Sequence, residues 1–121
     1  MKSNLLPDVK WFIPAVIGFT LIFGLCVLVF GYTDTDLVNA IFKAEGGAKA
    51  QYLYGIRSVK YKDANEARKI CFNTVRNNRK RFANQTKYKD YLEFLASRYC
   101  PVSAHKLNQY WLTNVRYFLY R

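Results

Sequence analysis

Eight carboxylates occur in the 121-residue chain, and only Asp8 precedes residue 33. Six of the other seven have structural explanations. Asp34 and Asp36 fall in the first turn of a predicted helix, where the macrodipole favours negative charge. Asp63 and Glu66 have the spacing of a capping box. Asp90 and Glu93 lie off the apolar stripe of their predicted helix, where water and nearby cations can satisfy them. Glu45 differs. It stands at the end of a helix, where the dipole opposes a carboxylate, and it follows Ile41 and Phe42 by four and three residues, close to the apolar face. Both features favour the protonated form, and a general acid must be protonated at its working pH. The competing explanation is an ordinary helix end, because Gly46 and Gly47 follow at once and glycine terminates helices in the left-handed conformation.

The surrounding elements are mostly helical. Asp34 or Thr35 can cap a helix whose apolar face is Leu37, Val38, Ile41 and Phe42. The stretch QYLYGIRSVKY, residues 51–61, is rich in Tyr, Ile and Val and is interrupted by Gly55. It predicts a short extended segment or small hairpin with a close backbone approach at Gly55. A long helix follows Asp63, with Ala67, Ile70, Cys71, Thr74, Val75 and Asn78 on one face. Tyr88, Tyr91, Leu92, Leu95 and Tyr99 make the next helical stripe, stopped by Pro101. Asn108 can cap a last helix carrying Trp111, Val115, Phe118 and Leu119. The expected fold class is mainly α with one short extended or β element.

Ahead of these elements, residues 11–32 contain no charged side chain. A helix of that length spans the roughly 30 Å hydrocarbon core of a bilayer, and Trp11 and Tyr32 stand at its ends, where aromatic rings favour the headgroup region. The run exceeds the about 7–15 apolar residues of a signal peptide, and no small-x-small site follows it. An uncleaved, single-pass signal anchor is therefore expected after a tail of residues 1–10. Lys2 and Lys10 precede the segment, and Lys43 alone is basic in the fifteen residues after it. The positive-inside rule then puts residues 33–121 on the extracytoplasmic side, periplasmic or within a virion membrane.

Net charge is +11, and 17 of the 19 Lys and Arg residues follow residue 32. Such a domain attracts anions: nucleic acid, acidic lipid or an anionic wall polymer. Aromatic residues are 17% of the chain, so a packed core is within reach. Cys71 and Cys100 either close one disulfide in an oxidising compartment or stay as two buried thiols. His105, the only histidine, makes no zinc-type spacing with them, no glycine-rich phosphate loop is present, and no cofactor is implied. The basic run VRNNRKRF, residues 75–82, is either a solvated helix face or a phosphate-binding patch.

The order of elements resembles the lysozyme-like superfamily, more narrowly the small lytic transglycosylases and phage muramidases. IFKAEGGAKA is similar to that family's Glu-Ser-Gly-Gly helix end, YGIRSV to its Tyr-Gly-Ile/Leu-x-Gln-Ile strand, and NQYWLTNVRYF to its closing helix. Gly46 stands where the family has serine, and Ser58 where it has glutamine. The resemblance implies peptidoglycan glycan strands as substrate and Glu45 as catalytic acid/base. It implies Gly55 as backbone lining the sugar cleft, with Tyr54 and Tyr110 as aromatic walls. No second acid is evident near the strand, so the implied chemistry uses one carboxyl group. The alternative from another class is a non-enzymatic basic membrane protein, a virion or envelope component that binds nucleic acid, acidic lipid or glycan.

Overall fold

Thr33, rather than Asp34 or Thr35, starts the first helix. The structure, a computed structural model, describes residues 31–121. The predicted tail and all but the last two residues of the predicted anchor lie outside the described residues. Among the described residues no helix is long and apolar enough to cross a membrane. Tyr32–Arg121 forms one compact unit.

Helix α1, Asp34–Ala44, is capped reciprocally. The Thr33 hydroxyl accepts from the Asp36 N–H at 3.1 Å, and the Asp36 carboxylate accepts from the Thr33 N–H at 2.9 Å. Using Thr33 as the cap satisfies two orphan donors and leaves Asp34 to accept from Arg79 Nε at 2.6 Å. Leu37, Val38, Ala40 and Ile41 are buried, so α1 forms the centre of the core. Each large one contributes about 1.5–3 kcal/mol by leaving water. The helix ends as its glycines predict: Gly46 has φ +108° and Gly47 φ +65°, conformations that L side chains rarely adopt. A 3-10 turn, Gly47–Lys49, follows.

The predicted extended or β element is not a strand; among the described residues no strand occurs. A 3-10 turn, Leu53–Gly55, takes its place. Tyr54 at φ +57° and Gly55 at φ +70° are both left-handed, and two such residues in succession reverse the chain instead of extending it. The turn is held from outside, since Tyr61 Oη accepts from the Leu53 N–H at 2.9 Å.

Helix α2, Ala64–Ala83, begins at the predicted Asp63, whose carboxylate accepts from the Glu66 N–H at 2.8 Å. Glu66 does not return to Asp63 but accepts from the Lys62 N–H at 2.7 Å. Ala67, Cys71, Val75 and Asn78 are its buried residues. Helix α3 spans Tyr91–Tyr99, capped by Asp90. Tyr88 falls before it, in a loop that the Gln85 amide clamps by accepting from the Tyr88 N–H and donating to the Tyr88 carbonyl, both at 2.8 Å. Asn108 is not the cap of the last helix. It lies within a 3-10 turn, Lys106–Tyr110, capped by His105, and donates from Nδ2 to the Pro101 carbonyl at 2.7 Å. Helix α4, Trp111–Leu119, then runs on from that turn and packs on α1, burying Trp111 and Val115. Helix α2 covers another side of α1, and α3 bridges α2 and α4.

Candidate active site around Glu45

The local chain explains where the Glu45 carboxylate goes. Glu45 is the C-cap of α1, its N–H still bonded to the Ile41 carbonyl at 3.0 Å. The left-handed glycines after it turn the chain away, so its half-buried side chain meets the turn at Leu53–Gly55 and the start of α4.

Two contacts fix the carboxylate. Trp111 Nε1 donates to Glu45 Oε1 at 2.8 Å, across 66 residues of sequence. Gly55 presses bare backbone against the same group: a Cβ there would lie 2.6 Å from Glu45 Cδ, 2.7 Å from Oε1 and 2.9 Å from Oε2. Only glycine fits, for both its φ and the space. Trp111 is held in turn. It is 5% exposed, and the Tyr99 ring stacks on it with centroids 5.1 Å apart and planes at 25°. Tyr99 Oη donates to the Tyr54 carbonyl and lies 3.7 Å from Cys71 Sγ. The backbone of the glycine turn is thus tied through Tyr99 to the tryptophan that holds the acid.

An indole N–H donates only, so Glu45 Oε1 serves as its acceptor. Electrostatics spread outward from this point. Burial raises the Tyr99 phenol, and the neighbouring Cys71 and Glu45 raise it further. Burial pushes the Cys71 thiol up to about 11, with the Tyr99 hydrogen bond and Arg68 acting in the opposite sense. Cys100 is pushed up to about 11 by burial and then by Glu45, against the pull of Arg57. Cys71 and Cys100 are free thiols, so no disulfide joins them.

Beside Gly55 runs a groove of about 210 Å³. Gly55–Val59 form one wall, and Ile70, Thr74, Arg98 and Tyr99 form the rest. Gly55 and Arg57 belong to the turn and its exit, Arg98 to α3. Gly55 touches both the groove and Glu45; Glu45 itself is not among the groove's walls.

Of the residues singled out from sequence, Glu45 and Gly55 come together. Tyr54 does not line the cleft. It is 4% exposed, and its ring packs on Phe42 with centroids 5.1 Å apart, because the left-handed backbone turns the side chain into the core. Tyr110 is 54% exposed, on the turn just before Trp111. Trp111 and Tyr99 were legible only as members of apolar helical stripes. A signal was present for Trp111: it is the only tryptophan after residue 32, and a buried indole N–H needs an acceptor. No family model, curated protein or solved structure matches this chain.

Proposed function

We propose that the folded unit is a peptidoglycan-cleaving glycosidase of lytic transglycosylase or muramidase type, with Glu45 as its single acid/base. The observation that carries this reading is the Glu45 carboxylate seated on the Gly55 backbone and held by Trp111 Nε1–H. Holding one oxygen as an acceptor orients the carboxyl group, and orientation of the reacting group is a large part of a catalytic effect.

In the proposed reaction Glu45 Oε2 gives its proton to the glycosidic oxygen, and the C1–O bond breaks with its electron pair going to the leaving sugar. The resulting carboxylate then takes the proton of the 6-hydroxyl on the same ring as O6 bonds to C1. Protons and charge balance without a second carboxylate or a cofactor, and the product is a 1,6-anhydro sugar. Water in place of O6 gives a reducing end. Arg57 and Arg98, in the groove beside Gly55, suit a polymer that carries carboxylates. An anchor at residues 11–32 would hold the enzyme at a membrane, facing the wall.

A second reading, a module that binds glycan without cutting it, is favoured by one observation: Glu45 is not among the groove's walls. Activity separates the two. The full chain in neutral detergent is expected to clear a murein suspension, and Glu45→Gln to lose about 10²–10⁴-fold of that rate, the usual span of general acid/base catalysis. Full clearing by Glu45→Gln would remove the catalytic assignment, and mass analysis of the fragments distinguishes anhydro from reducing ends.

A further inference from the structure

The basic stripe of α2 is not the whole of residues 75–82. Asn78 is buried, and Arg79 turns inward to pair with Asp34 and lie 4.2 Å over the Tyr91 ring. A different face of the helix carries uncompensated charge. Asn65, Arg68, Lys69, Phe72, Asn73 and Arg76 line a shallow surface groove of about 310 Å³. The Arg68 and Arg76 guanidiniums sit 5.2 and 5.3 Å from the Phe72 ring centroid, so two cations flank one ring. Among the described residues only Arg79 and Arg116 form ion pairs within 4.0 Å. None of the groove's three cations therefore has a carboxylate partner.

We propose that this face of α2 is a docking surface for the phosphate headgroups of an anionic lipid bilayer. Charge complementarity supplies the first argument. Three unpaired cations along about two turns of one helix match a plane of phosphates better than a single small anion. The second argument is where the chain enters the folded unit. It does so at Tyr32, the last residue of the uncharged 11–32 run, and Arg79 lies 5.6 Å over the Tyr32 ring. A bilayer holding that run would be tethered to the folded unit with no intervening linker. This surface is separate from Glu45, and it stands or falls independently of glycan cleavage.

Footprinting the full chain tests it. The protein is placed in nanodiscs of phosphatidylcholine alone or with phosphatidylglycerol, and lysine acylation by a water-soluble reagent is read by mass spectrometry. Each cation near an anionic surface is worth about a fivefold change in association. Acylation of Lys69 is expected to slow at least about fivefold in the anionic discs, while Lys106 is unaffected. Arg76→Gln is expected to restore the Lys69 rate, as is raised salt; Lys87→Gln, which removes equal charge elsewhere, is not. Arg68 is left intact because it also bonds Asn39 Oδ1 at 2.8 Å. Equal Lys69 rates in both discs overturn the proposal, as does equal slowing of Lys106 or equal release by Lys87→Gln. Protection of Lys69 by duplex DNA but not by anionic lipid assigns the face to nucleic acid instead. A chain that neither disc retains also overturns the proposal.

Discussion

Replacing Gly55 with alanine tests the construction of the site most directly. The added Cβ would sit 2.6 Å from Glu45 Cδ, and ordinary contact begins near 3.4 Å. The carboxyl group must therefore retreat by about 0.8 Å or the turn must open. A retreat of that size away from Trp111 stretches the 2.8 Å hydrogen bond beyond useful length. Two costs add. A non-glycine residue at φ +70° costs about 1–2 kcal/mol, and loss of the Trp111 hydrogen bond about 0.5–1.5 kcal/mol. The melting temperature of a unit this size should fall by roughly 6–28 °C, and misplacement near 1 Å should lower the rate of murein clearing by about 10²-fold. A double-mutant cycle with Glu45→Ala separates the terms. Without the carboxylate, Gly55→Ala should cost only the backbone part, giving a coupling of about 0.5–1.5 kcal/mol. Equal destabilisation by Gly55→Ala in both backgrounds would refute the close-contact argument. Unchanged clearing by the single variant would refute the positional one.

Trp111→Phe keeps an aromatic ring for Tyr99 to stack on but removes the donor to Glu45. It should destabilise by about 1–3 kcal/mol and lower the clearing rate with little change in binding to murein; a wild-type rate would show that the indole N–H does not aim the acid. The raised thiols have a pH consequence. Cys71 and Cys100 go from 9.0 to about 11 on folding, so the unfolded chain loses protons first as pH rises. Their contribution to stability is fully present below about pH 9 and is lost as pH rises through about 11. Thermal melts across that window should show a decline that is smaller in Cys71→Ala and Cys100→Ala variants, the remainder coming from groups such as the raised Tyr99 phenol; declines of equal size would contradict the burial argument. At pH 8 alkylation of Cys100 in the folded chain should run about tenfold slower than for an unperturbed thiol, because its lower thiolate fraction outweighs the greater nucleophilicity of a more basic thiolate. Asn78 is 4% exposed, and its Oδ1 has no hydrogen-bond partner while Nδ2 donates to the Thr74 carbonyl at 2.9 Å. Asn78→Leu should be neutral or stabilising within about 1 kcal/mol, because it removes an unmet acceptor along with a local bond; a large loss in a chemical-denaturation series would mean that the amide is satisfied in solution.

The sequence by itself determined what local physics can determine. The period of Leu37, Val38 and Ile41 specified the buried face of α1, and Asp63 marked the start of α2. The paired glycines marked the end of α1, since few residues but glycine accept the φ they need. Glu45 also stood out locally, as the acid that no helix start or exposed face explained. Short-range choices between similar caps were less legible: Thr33 displaced Asp34 because a reciprocal bond with Asp36 and a distant arginine both favoured it. The run at 51–61 had the composition of a strand, and only the left-handed pair at Tyr54 and Gly55 made it a turn. Tertiary structure alone decided what surrounds the acid. The Trp111 donor lies 66 residues away, and the stacking of Tyr99 on Trp111 follows from how α3 packs beside α4. An apolar stripe shows that a tryptophan is buried. Which acceptor its N–H finds depends on the packing of helices remote in sequence, and local periodicity carries no information about that.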